Sequence, residues 1–339
     1  MSVQNQSLGG TAGSGVVAHR VAILGTRFQD FGIEEDAFAS LDVEIVSGDG
    51  GSADAISEVA GDVDVILAGS RPQFDDSVLA RLACRGIVRY GVGTDSVDLD
   101  SARRRGIAVA RVSDYGTEAV AFHAIAMATA QLRRLPEVDR AVRAGKWGFA
   151  EFRPLHEAST LTAGVVGYGR IGQQSARYLR GLGMRVLGHD AFVEIPQSDD
   201  VEPVDLAALL TLSDVVLLHA PGNQDGSPLI DAAALARMRP GSVLVNTARG
   251  SLVDLIALAE AMDHGAPSRA ALDVYPTEPP DLSVLADVQD RVLLTPHMAW
   301  YTEESEVDMR RKAAADAARL LRGERLADPV VETGADRHA

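Results

Sequence analysis

The chain has 339 residues, 46% of them apolar and 24% charged, the balance of an ordinary globular protein of about two domains. Its net charge of −16, from 32 basic and 48 acidic residues, excludes a broad phosphate-binding face and a polybasic membrane surface, so neither nucleic acid nor membrane is an expected partner. A single cysteine, Cys84, excludes an internal disulfide framework and a cysteine-built zinc site, no metal is expected, and no apolar run approaches the roughly 18 residues of a membrane span.

Residues 1–18 are rich in Gly, Ser, Gln and Asn and read as a disordered leader without the apolar segment of a secretory signal, so the chain reads as cytoplasmic. Short apolar runs at 21–24, 43–46, 63–67, 87–90 and 107–110 read as buried strands, with helical spacing between them at 75–83 and 99–105. Strands alternating with helices imply parallel pairing in an α/β layer fold. Residues 117–134 are alanine-rich and read as a buried helix joining two domains, while 136–160 read as irregular.

From Leu161 a cleaner series begins. Its strands fall at 163–166, 185–188, 214–219, 242–246, 269–274 and 291–294, and its helices at 170–182, 206–211, 232–238 and 255–264. Six strands with crossovers match a doubly wound sheet. A last helix at 302–322 has Thr302 to cap it, Glu303 and Glu304 at its positive end and Gly323 to stop it. It follows the completed second sheet and is expected to return to the first domain. That domain then comprises 19–116 and 298–339, around an inserted domain at 117–297.

The segment Gly167-Tyr168-Gly169-Arg170-Ile171-Gly172 follows an apolar strand and opens a helix, and Asp190 ends the next strand. This is the context in which Gly-x-Gly-x-x-Gly binds a dinucleotide. Gly167 permits the tight turn, Gly169 lets the backbone approach a pyrophosphate, and Gly172 lets helix and strand pack closely. Asp190 accepts ribose hydroxyls, and its charge would oppose a 2′-phosphate, so NAD is the expected cofactor.

Three polar residues stand just beyond the later strands: Arg249 in Asn246-Thr247-Ala248-Arg249-Gly250, Glu278 in the turn after Asp273, and His297 in Thr295-Pro296-His297. Ligands of open α/β sheets bind outside the carboxyl ends of strands, so the three are expected to converge. A 2-oxo acid offers a carboxylate and an adjacent carbonyl, which match the planar fork of Arg249. Hydride addition leaves an alkoxide for which His297 is a suitable acid, oriented and favoured in its protonated form by Glu278.

This ordered set of motifs resembles the D-2-hydroxyacid dehydrogenase family, from about residue 21 to residue 330. The resemblance implies a Rossmann dinucleotide-binding domain inserted in a flavodoxin-like substrate domain. Both are doubly wound α/β domains, and the activity implied is an NAD-dependent 2-hydroxyacid dehydrogenase or 2-oxoacid reductase. It implies cofactor contacts from Thr117, Gly167, Tyr168, Gly169, Arg170, Ile171, Gly172, Asp190, Ala220, Pro221, Thr247, Ala248, Arg249, Asp273 and His297. Backbone N–H groups of Val92 and Gly93 would hold the substrate carboxylate, with Ser70, Arg71, Arg89, Arg249, His297 and Trp300 around the substrate. A homodimer paired through the region 117–155 is also implied.

The run His297-Met298-Ala299-Trp300 is similar to the C-terminal binding protein branch, and other motifs are similar to phosphoglycerate dehydrogenases. Phe122 stands where the family usually has an acidic residue before the histidine, here His123. The usual Asn-x-Pro is replaced at 111–115, and the common Leu-Thr is missing at 221–225. Two other readings stay open: the same chemistry on a phosphonate or phosphorylated 2-oxo acid, for which Arg71 and Arg89 are the candidates, and an NAD-sensing, corepressor-like binding protein.

Overall fold

The computed structural model describes residues 19–333 except 29, 197–199 and 224; the leader expected at 1–18 lies outside them. The chain divides into two compact units. One holds the chain up to Tyr115 and again from Glu306, and the other holds Gly116–Ser305. The second unit runs past the expected boundary at 297 because the following residues are tied to it. Asp273 accepts from Met298 N at 2.9 Å and Ala299 N at 3.0 Å, and Ser305 Oγ donates to Trp300 O at 2.6 Å.

In the first unit, β1 (His19–Leu24), β2 (Val43–Gly48), β3 (Val65–Ala68), β4 (Gly86–Arg89) and β5 (Ala108–Ala110) are parallel, in the order β5-β4-β3-β1-β2. That is the flavodoxin-like order. An additional strand, Pro329–Val331, pairs antiparallel with β5. The sequence reading lacks it because three residues with a proline carry no periodicity, and proline is tolerated at such an edge. Ala22, Leu24, Ile66, Ala68, Ile87 and Val109 lie in one core cluster, and buried Cys84 belongs to it with its thiol pushed up to about 12 by burial.

The same unit buries an ion pair. Glu34, fully buried on the helix Gly32–Phe38, receives Arg310 Nε at 3.0 Å and Nη2 at 2.7 Å, and Tyr90 Oη donates to Glu34 at 2.8 Å. The Arg310 guanidinium also lies 4.3 Å from the Phe28 ring centre. Desolvation, then the Glu34 charge, raises Tyr90 well above the ordinary phenol value, so its hydroxyl remains a donor.

In the second unit, β6 (Thr162–Val166), β7 (Arg185–His189), β8 (Glu202–Pro203), β9 (Val215–Leu218), β10 (Val243–Asn246), β11 (Arg269–Leu272) and β12 (Val292–Leu294) form a parallel sheet in the order β12-β11-β10-β9-β6-β7-β8. The order reverses between β9 and β6, the switch point at which this fold binds ligands. Alternate residues feed two cores: Val216, Leu218, Leu244 and Leu272 one, Val215, Leu217, Val245 and Ala271 the other. Such strands read as continuous apolar runs. The sequence reading counts six strands because β8 has only two residues.

The region expected to be irregular contains a helix, Leu135–Arg143. Pro136 suits its first turn, Glu137 its positive end, and Arg140 and Arg143 its last turn. None of its residues is buried, and its apolar stripe of Leu135, Val138 and Val142 is a helical signal the sequence reading overlooks. The preceding helix is Thr117–Leu132, and Phe122 on it is 66% exposed. Among the described residues no helix is long and apolar enough to cross a membrane, and no group of three or more His, Cys, Asp or Glu is placed to hold a metal ion.

Candidate active site

Strand register builds the site. Val166 lies beside His189 and Leu218, Leu218 beside Asn246, Asn246 beside Leu272, and Leu272 beside Leu294. The next residue of each strand forms the carboxyl rim: Asp190, Gly167, His219, Thr247, Asp273 and Thr295, in that spatial order. Residues more than a hundred positions apart thus share one row.

Gly167 turns with φ 91°, and a Cβ there would lie 2.5 Å from Ala220 N. A Cβ on Gly172 would lie 2.0 Å from Gly167 O, so helix and turn touch through backbone. Gly169 caps the helix Arg170–Gly181, and a Cβ there would meet open space. Asp190 accepts Tyr168 N at 2.6 Å, Phe192 N at 2.8 Å and Val193 N at 2.9 Å. Its partial burial opposes ionisation, but these backbone donors outweigh it and hold the carboxyl below its ordinary value. Three of roughly four acceptor sites are then used, which leaves about one for a ligand hydroxyl.

Two buried polar atoms on the rim lack protein partners: His219 Nδ1 and Thr247 Oγ1. Buried polar atoms are normally bonded. Open space at Gly169, the ionised Asp190 and these two atoms fit a dinucleotide on this rim. Ala220 and Pro221 follow His219, and Thr117 starts the helix Thr117–Leu132.

Asn246 shapes the turn that carries Arg249: its Nδ2 donates to Arg249 O at 2.8 Å and its Oδ1 accepts Ala248 N at 3.0 Å. Arg249 Nη1 donates to Ala248 O at 2.8 Å. A Cβ on Gly250 would fall 1.9 Å from the Tyr275 carbonyl carbon, so only glycine lets this turn meet the 273–279 segment.

His297 is the best-defined member. Its Nδ1 lies 2.7 Å from Glu278 Oε2, with side chains 43% and 38% exposed, and Glu278 Oε1 accepts Tyr275 N at 3.2 Å. The expected pair therefore forms. His297 takes a left-handed φ of 52°, a conformation that persists only when surroundings impose it. Here His297 N donates to Asp273 O at 2.7 Å, and Trp300 Nε1 donates to His297 O at 3.1 Å. Asp273, 1% exposed, spends its carboxylate on Thr295 Oγ1, Met298 N and Ala299 N, so it is the anchor of the histidine turn. That work is not visible from the sequence motif.

His219 is also missed as a site residue in the sequence reading, which places it at the end of the strand 214–219; the strand in fact stops at Leu218, so His219 stands on the rim. Its Nε2 lies 2.9 Å from the buried Ser175 Oγ. Burial pushes the imidazole down to about 4, from an ordinary 6.5. The unfolded chain therefore gains a proton below about pH 6.5 that the folded chain refuses. Stability is full above that pH and falls as pH drops toward 4, a gap worth about 3 kcal/mol. Urea titrations at pH 7 and pH 4.5 are expected to show a loss smaller by about 2–3 kcal/mol in His219→Gln than in the parent. Equal losses would remove this imidazole as the cause.

In the first unit, Arg89 is 5% exposed, and its guanidinium donates to the carbonyls of Ala68, Gly69 and Gly93. It braces the 91–95 loop from within. Arg71 lies 3.7 Å from Asp49, with both side chains 65% exposed. A Cβ on Gly69, next to Ser70, would sit 2.2 Å from Gly25 O, so the neighbouring turns interlock. Val92 and Gly93 lie between Arg89 and Asp95 on that loop.

A switch-point rim bearing a glycine turn, an acidic partner and a His–Glu pair defines a dinucleotide-dependent α/β protein. Residues 125–299, more than half of the chain, match the family described as "D-isomer specific 2-hydroxyacid dehydrogenase, NAD binding domain", and the chain belongs to that family. NAD is its cofactor. The chain is 36% identical over 263 residues to D-3-phosphoglycerate dehydrogenase of Archaeoglobus fulgidus, covering 77% of this chain and 50% of that one. It is 36% identical over 292 residues to the Mycobacterium tuberculosis D-3-phosphoglycerate dehydrogenase, covering 85% and 55%. The chain thus spans about half the length of these relatives. Among solved structures it is similar to D-lactate dehydrogenase from Aquifex aeolicus complexed with NAD and lactic acid, with TM-score 0.82, 26% identity and coverage of 93% of this chain and 100% of that one. It is also similar to a glyoxylate reductase from Paecilomyes thermophila, with TM-score 0.82, 29% identity and coverage of 92% and 98%.

Proposed function

We propose that the protein interconverts a small 2-oxo acid and its D-2-hydroxy acid, with His297 as the acid–base group. The observation that carries this reading is the His297–Glu278 pair, 2.7 Å apart beside the Asp273 anchor on the rim. NAD, when bound, supplies or accepts the hydride. Glu278 accepts the Nδ1 proton, which leaves Nε2 of His297 as the proton donor in reduction and the acceptor in oxidation. Arg249 receives the substrate's carboxylate and carbonyl oxygens through its planar fork. Within the first unit, the Val92 and Gly93 N–H groups and Ser70 are assigned a substrate-binding role. Trp300, held to the His297 carbonyl, shapes the substrate end.

Two of the relatives are named for a phosphorylated acid. The commitment of Arg89 to three backbone carbonyls instead supports a small, uncharged substrate tail. The test is NADH oxidation with glyoxylate, hydroxypyruvate and a phosphorylated 2-oxo acid. We expect kcat/KM at least tenfold higher for the first two. A preference for the phosphorylated acid would reverse the substrate assignment. Tight NADH binding with no turnover of any acid would favour a binding protein.

We further assign a homodimer. Phe122, Leu135, Val142, Trp147 and Phe149 are between 49% and 93% exposed within one stretch of the second unit, more apolar surface than a solvated segment normally carries. Light scattering at a monomer mass would contradict this.

A further inference from the structure

His123 has no part in the reaction so far described, yet it is wired to it. It sits on the helix Thr117–Leu132, with its Nε2 3.2 Å from Thr295 Oγ1 and 3.8 Å from Asp273 Oδ1. Thr295 has one hydroxyl proton and lies 2.5 Å from Asp273 Oδ1, while a weaker acceptor, Met127 Sδ, lies 4.0 Å away. The carboxylate is the stronger acceptor and takes the proton. The contact with His123 must then be filled by the imidazole's own Nε2–H. In the other neutral tautomer Nε2 would compete for the threonine proton, and Asp273 would lose a donor.

Resting on the reading of His297 as the acid–base group, we propose that His123 is a positioning residue for the reaction. Its Nε2–H directs the Thr295 hydroxyl onto Asp273, and this holds the turn on which His297 adopts its left-handed conformation. Asp273 links the two: one carboxylate oxygen takes Thr295 and Met298 N, the other takes Ala299 N, and the main-chain carbonyl takes His297 N. A side chain bonded to Thr295, 172 positions away, thereby sets the catalytic imidazole without touching it.

The test compares His123→Leu, His123→Gln and Thr295→Val in the full chain, with kcat and KM for glyoxylate and NADH affinity by fluorescence. His123→Leu is expected to lower kcat 10- to 50-fold with NADH affinity within threefold of the parent. His123→Gln, which restores an N–H donor, should recover kcat to within fivefold. Thr295→Val, which removes the hydroxyl but keeps the shape, should reproduce the loss and carries the test if His123→Leu does not fold. In a His297→Ala background either loss should disappear, because the turn then positions nothing that reacts. A normal kcat in Thr295→Val, or losses that multiply with His297→Ala, would overturn the proposal while leaving the functional reading intact. A His297→Ala enzyme with normal kcat would instead overturn that reading, and this proposal with it.

Discussion

Replacing His297 by alanine is expected to lower kcat by about 10²–10⁴, the usual value of a positioned general acid. The geometry supports the upper part of that range. The ring is bonded to Glu278 at 2.7 Å, carried on a left-handed backbone and anchored at Asp273, so its orientation is settled before substrate arrives. Such preorganisation is what makes a proton donor effective. Glu278→Gln should cost less, about tenfold, because the amide can still accept the Nδ1 proton without offering a charge. NADH affinity should change far less than kcat in both, since Asp190 and the glycine turn are untouched. The check is initial rates at saturating NADH and glyoxylate; an alanine variant with parental kcat would show that the proton comes from elsewhere.

The largest expected effect on stability lies in the first unit. Arg310→Met should destabilise it by about 3–5 kcal/mol, because the carboxylate of Glu34 would stay buried without its bidentate partner. Glu34 has no exposed surface, and of its side-chain donors Tyr90 Oη would then remain. The pair Glu34→Leu with Arg310→Met should recover most of the loss, because desolvation of both charges is then avoided. Urea unfolding of the three variants measures this. If the double variant were as unstable as the sum of the singles, the cost would lie in packing, including loss of the guanidinium from the Phe28 ring, rather than in the orphaned charge.

Much of the fold is readable because parallel strands covered on both faces leave continuous apolar runs, as at 163–166, 215–218 and 243–245. The elements missed are those too short to carry a periodicity, and one helix that lies outside the core. β8 is two residues, the strand Pro329–Val331 starts with proline, and Leu135–Arg143 has no buried side chain. The boundary after the second unit is set by hydrogen bonds that Asp273 accepts and one that Ser305 donates, which leave no mark in composition. Arg89 shows the converse case: as a sequence feature it suits an anion, but its burial against carbonyls of Ala68, Gly69 and Gly93 commits it to the fold.

By itself, the sequence determined the glycine turn after a strand, the acidic residue ending the next strand, the members of the His–Glu pair and the α/β class, because each depends on residue types at short spacing or on local periodicity. Only the tertiary structure decided that Asp273 anchors the His297 turn, that His123 reaches Thr295, and that His219 is buried with an unpartnered nitrogen. Those relations depend on strand register and on contacts across as many as 172 positions, and no local pattern in a chain encodes a distance between two remote side chains.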